Sequence, residues 1–90
     1  MENSTEPFLN VQTFLPNSRK QEEGFSGRAK SVSGRSSEGN FDILPTHANF
    51  IGLVLDKLVI KTVQDQIFEI AFGKGFVETS ENNVKIFLEF

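Results

Sequence analysis

Cysteine, tryptophan and tyrosine are all absent from this 90-residue chain, and histidine occurs once. Without cysteine there is no disulfide staple, no thiolate metal site and no thiol nucleophile. One histidine, His47, gives a metal little to converge on, since such sites draw on three or four ligands. Long apolar runs are also missing: no stretch approaches the ~18–20 residues of a membrane span. The opening "MENSTEPF" is polar and acidic, unlike a signal or transit peptide. Basic excess is absent too. The formal net charge of −3 offers no phosphate-neutralising patch, so neither nucleic acid nor anionic lipid is an expected partner.

What remains is a small single domain rich in strand formers. At this length roughly 60–65% of the unfolded surface can be buried, enough for one modest core. All 10 aromatic residues are phenylalanine. Phenylalanine fills cores, whereas binding platforms favour the amphipathic Trp and Tyr. Residues 1–40 balance five basic against five acidic side chains, while residues 41–90 carry four against seven. The acid excess therefore falls on the more hydrophobic half, as decoration for exposed strand faces.

Residues 1–7 read as a loose tail and 8–90 as one folded unit. In "FLNVQTFL" (8–15), Leu9, Val11, Thr13 and Leu15 share one face of an extended strand, with Asn10 and Gln12 opposite. "PNSRKQEEG" (16–24) is a polar connection. "GRAKSVSGRSSEGN" (27–40) has room for a short strand near 28–33, its Ser and Gly content implying that the rest is loop. "FDIL" (41–44) is a brief strand stopped by Pro45. "FIGLVL" and "KLVIKTV" are apolar and β-branched, separated by Asp56-Lys57. A turn is expected at Asp65-Gln66, a glycine-enabled bend in "GKGFVETS", and a further turn in "SENN". In "VKIFLEF", Val84, Ile86 and Leu88 alternate with Lys85, Phe87 and Glu89. Short strands separated by frequent turn signals predict an all-β sandwich or barrel.

No catalytic constellation emerges. A triad would need His47 with Asp42, Asp56 or Asp65, and nothing resembles a nucleophile elbow. "GKGF" (73–76) lacks the Lys-Ser/Thr and following helix of a phosphate loop. Glu38 and Asp42 are near in sequence, without the cleft that paired acid/base carboxylates require. The chain is read as non-catalytic, with no cofactor and no metal.

"SSEGNFDILPTHANFI" (36–51) resembles the "EG-x-F-x-I-L-P-G-H-A-P-L" segment of the epsilon subunit of bacterial F-type ATP synthases, called delta in mitochondria. "GFVETSENNVKIFLEF" is similar to the "G-G-F-V-E-V-x-x-N-x-V-x-V" close of that subunit's N-terminal domain. "FSGRAKSVSG" and "LNVQTFLP" resemble two earlier strands, and the four run in order over Leu9 to Phe90. The resemblance implies a flattened sandwich of about ten short strands. It implies a central-stalk rotor subunit, packed on the gamma subunit and resting on the c-ring, coupling proton flow to ATP synthesis. Its place would be peripheral, on the cytoplasmic face of the bacterial plasma membrane.

The resemblance assigns Glu38, Gly39, Asn40 and His47 to the c-ring contact. Phe50 and Ile51 are candidates for the gamma contact, with plain core packing as their alternative. Thr46 and Asn49 replace the family's usual Gly and Pro, so a changed backbone shape is expected at that turn. Leu55-Asp56-Lys57 replaces "K-P-G", so a rebuilt hairpin is expected there. The sequence given stops at the last expected strand, before the C-terminal helical hairpin that family members commonly carry. The competing reading is a stand-alone β-sandwich module binding a peptide or small ligand.

Overall fold

The computed structural model describes residues 7–46 and 49–90. The expected alternation at the start of the chain is realised: β1 (Leu9–Phe14) buries Leu9, Val11 and Thr13 and exposes Asn10 and Gln12. A polar connection with a single 3-10 turn (Gln21–Glu23) follows. The Gln21 side chain clamps it to β1: its Nε2 donates to the Leu15 carbonyl at 2.9 Å and its Oε1 accepts from the Leu15 N–H at 3.1 Å. Then come β2 (Ser26–Ser36), β3 (Gly39–Ile43), β4 (Phe50–Thr62), β5 (Ile67–Ser80) and β6 (Asn83–Glu89).

These strands make one sheet in the order β1-β6-β5-β4-β2-β3, closed by a further β1–β2 pairing. The closed sheet is flattened, with extents of 43 × 29 × 19 Å. Pairing divides it into two sides. The first holds β1, β6, the second half of β5 and the first half of β4. The second holds the first half of β5, the second half of β4, β2 and β3. Leu9, Val32, Val54, Leu58, Ile60, Val77 and Ile86 are fully buried between them.

Among the described residues six strands, not about ten, build this sandwich, because the two longest pass through its corner unbroken. At Leu55-Asp56-Lys57 the chain does not reverse in a hairpin. Asp56 alone, at φ 74°, faces Phe72 and Gly73 of β5 between the Leu55–Lys74 and Lys57–Ala71 pairs. A bulge bends a strand without ending it. The extra residue also shifts the phase of β5: Ile70 and Phe72 point inward before it, Gly75, Val77 and Thr79 after it. Gly75 has no alternative there, because a Cβ would lie 2.7 Å from the Phe87 carbonyl oxygen.

The serine-rich segment is likewise strand rather than loop, with β2 running on to Ser36. Its small side chains stay extended because both neighbouring strands hydrogen-bond to it: Val32 pairs with Ile43 and Ile60, and Gly34 with Phe41 and Leu58. Ladder bonds outweigh weak intrinsic strand propensity here. The turns at Asp65 and Glu81-Asn82 fall as expected, all three residues adopting positive φ. Two successive left-handed residues form the tight hairpin geometry suited to twisted strands.

Candidate interaction surface

Strand alternation sends every second side chain outward, and the two outer faces receive different chemistry. On the first side, Leu53 of β4, Phe76 of β5, Phe87 of β6 and Phe14 of β1 lie directly across from one another. Phe14 and Phe87 stack with ring centroids 4.9 Å apart. Ile51 and Leu53 are the most exposed large apolar side chains described, at 67% and 65%. A shallow groove of about 280 Å³ runs through this row, lined by Leu53, Gly75, Phe76 and Phe87 and flanked by Lys74 and Glu89. Charged pairs border the row: Glu78 opposite Lys85, and Lys74 Nζ 3.8 Å from Glu89. An apolar centre with a charged rim is the composition of a docking surface.

The second side is mostly ionic, with Ile67 exposed at its margin opposite Lys61. Lys57 sits 4.0 Å from Glu69, and Arg35 pairs with Asp56. Asp65 accepts from Lys30 Nζ at 2.6 Å, with Lys61 Nζ 3.9 Å away. The Lys30 hydrogen bond and charge, helped by Lys61, hold the Asp65 carboxyl below the ordinary value of 3.8. The Ser33 hydroxyl donates to Asp42. Such exposed pairs are each worth little, but each offers water and counterions what an apolar partner would displace.

The sequence-based candidates fall in three places. Glu38 lies in the β2–β3 turn, followed by Gly39 at φ 124°, and Asn40 opposes Arg35 on β3. Ser36 fixes the turn: its hydroxyl accepts from the Glu38 N–H at 3.2 Å and donates to the Gly39 carbonyl at 3.1 Å. Glu38, Gly39 and Asn40 are exposed. His47 lies outside the described residues. Phe50 and Ile51 part company: Phe50 is half-buried and stacks on Phe41 at 5.2 Å, while Ile51 faces outward beside Leu53.

The turn expected to change shape keeps a left-handed residue. Thr46 has φ 65° despite its β-branch, because its N–H donates to Asn82 Oδ1 at 2.8 Å. Asn82 also accepts from the Asn10 N–H at 2.8 Å through its carbonyl, and the Glu81 N–H donates to Asn49 Oδ1 at 3.4 Å. Asn82 was not singled out by sequence reasoning; its side chain is the anchor of this end of the sandwich. Phe76 and Phe87 were also missed. Their signal was present, since Phe87 occupies the polar phase of "VKIFLEF" between Lys85 and Glu89.

A family model described as ATP synthase, Delta/Epsilon chain, beta-sandwich domain matches residues 19–89. The chain belongs to that family. Among curated proteins, none matches this delta/epsilon sandwich. Among solved structures, it is similar to a chain in the OSCP/F1/c-ring assembly of Euglena gracilis mitochondrial ATP synthase, at TM-score 0.67 and 15% identity. That match covers 97% of this chain and 56% of the other. It is also similar to a chain in the central stalk and c-ring of Tetrahymena thermophila mitochondrial ATP synthase, at TM-score 0.69 and 12% identity, covering 91% and 63%. At these identities the likeness is one of fold, and the delta/epsilon sandwich spans 56% and 63% of those two chains. Among the described residues no helix is long and apolar enough to cross a membrane, and no group of His, Asp and Glu is placed to hold a metal.

Proposed function

We propose that this delta/epsilon sandwich is the stalk-docking domain of a non-catalytic rotor subunit in an F-type ATP synthase, linking the gamma subunit to the c-ring. In this role it turns with the rotor and transmits torque between ion flow and ATP synthesis, peripheral to the membrane. The observation that carries the reading is the row Leu53, Phe76, Phe87 and Phe14 on one outer face. An unpartnered aromatic row of this kind favours a permanent partner. Gamma covers this row, with Ile51 inside the contact and Phe50 supporting it from the core side. The c-ring loops meet the β2–β3 turn at Glu38, Gly39 and Asn40, and the family resemblance adds His47 to that contact.

The test is binding to a purified catalytic head that contains gamma and has been stripped of its own delta or epsilon subunit, read by calorimetry. One-to-one binding, lost when Phe76 is replaced by Glu in a chain that still folds, is the expected result. Failure of the folded wild-type chain to bind a cognate head overturns the proposal.

A further inference from the structure

Among the described residues, one strand edge beside the apolar row lacks the usual protection. Phe50 to Val54 of β4 pair, among the described residues, with β5 on one side only, because β2 joins β4 from Leu55 onward. In an antiparallel strand every second N–H and C=O points away from the paired neighbour. Such edges template the addition of another strand, and proteins normally blunt them with charge, proline, bulges or shortness. The other open edges here follow that rule. β3 is short and carries Asp42, and the first half of β5 carries Glu69. "FIGLV" has no charged residue and no proline, and the bulge comes only after it, at Asp56.

We infer that this edge is completed by an extended segment of the stalk partner, added as a strand alongside Phe50–Val54. The inference rests on the docking role proposed above and specifies how that docking is made. The segment's chemistry follows from the edge. It is extended, so that its main chain satisfies the outward N–H and C=O groups, and apolar at alternate positions, so that its side chains continue the surface begun by Ile51 and Leu53. The edge and the aromatic row share Leu53, which opposes Phe76. One partner body therefore covers both. A second copy of this chain could pair at the same edge about Gly52, but a strand pair this short falls below the ~1,000 Å² of a stable interface. It would also leave Phe76 and Phe87 uncovered on both copies.

Hydrogen exchange of the β4 amides, followed by mass spectrometry or NMR, tests the inference on the free chain and on the chain bound to the gamma-containing head. Contact through side chains alone leaves edge amides open to water, whereas an added strand slows them. The expected result is slowing of at least about tenfold, confined to alternate amides of residues 50–54, on binding. Binding without that slowing overturns the added strand while leaving the docking role standing. No binding removes both. Slowing already present in the free chain, growing with concentration alongside a sedimenting dimer, assigns the edge to a second copy and overturns the partner strand.

Discussion

The two outer faces of this sandwich share two strands, β4 and β5, yet present opposite surfaces. Leu53 and Phe76 project from one end of the β4–β5 pair, whereas Lys57 and Glu69 project from the other, beyond the bulge at Asp56. Inward residues are similar on both sides: Val54 and Val77 on one, Leu58 and Ile60 on the other, all fully buried. Folding therefore explains the inner faces alone. What separates the outer faces is that one is centred on intramolecular ion pairs, while the other centres on Leu53, Phe76 and the Phe14–Phe87 stack and keeps its charges at the rim.

The largest expected effect follows from this asymmetry. Phe87→Glu should weaken binding to the gamma-containing head by about 100-fold, or about 3 kcal/mol, because it places a charge at the centre of the contact. Ala71→Glu on the opposite face, beside Lys57, should change affinity less than about twofold. Calorimetry on both variants, with circular dichroism confirming the fold, measures the contrast. Equal losses on the two faces would remove the distinction drawn between them.

A stability test addresses the corner where the two faces meet. Gly75→Ala should destabilise the chain by about 1–3 kcal/mol in urea titration, since the new methyl meets not only the Leu88 side chain at 2.8 Å but the main-chain carbonyl of Phe87 at 2.7 Å, which cannot swing away. Thr79→Val should act in the other direction. Thr79 Oγ1 is buried with no hydrogen-bond partner among the described residues, and replacing a stranded hydroxyl by a methyl should stabilise by about 1 kcal/mol. The same titration reads both, with midpoints expected on opposite sides of the parent.

Much of this architecture was legible in the sequence, for reasons that differ by element. Alternation in β1 and β6 is strict because one face of each is core and the other water, so Leu9, Val11, Val84 and Ile86 were assignable by phase alone. The continuity of β4 through Asp56 was not legible. An acidic-basic dipeptide between two apolar runs looks like a turn, and only the pairing with β5 makes it a bulge. Serine-rich β2 misled in the same way, its extended form being imposed by ladders from both neighbours. At the site, family resemblance led to the chain entering β4. Phase then separates inward Phe50 from outward Ile51, but the row from Leu53 to Phe14 needs register across four strands. A linear sequence does not supply that.

The smallest expected effect tests whether the charged face is as indifferent as its ion pairs suggest. Asp65 closes the β4–β5 turn and joins it to β2 through Lys30. The neighbouring lysines lower its folded pKa below 3.8, so its contribution to stability is fully present above that value. It is lost as pH falls through the lower, folded pKa, where the native state must also take up the proton. Asp65→Asn should therefore shift the urea midpoint slightly at pH 7 and not at all at the acid end of the titration. Because the carboxylate is exposed, added salt should shrink even the neutral-pH difference. A difference that persists in strong salt would mean that Asp65 acts through its direct hydrogen bond with Lys30 rather than through screened charge. Its φ of 66° is not what Asp65→Asn disturbs, since asparagine tolerates left-handed backbone as well as aspartate does. Asp65→Ala, which removes charge and turn preference together, should then cost more than Asp65→Asn by the conformational part alone.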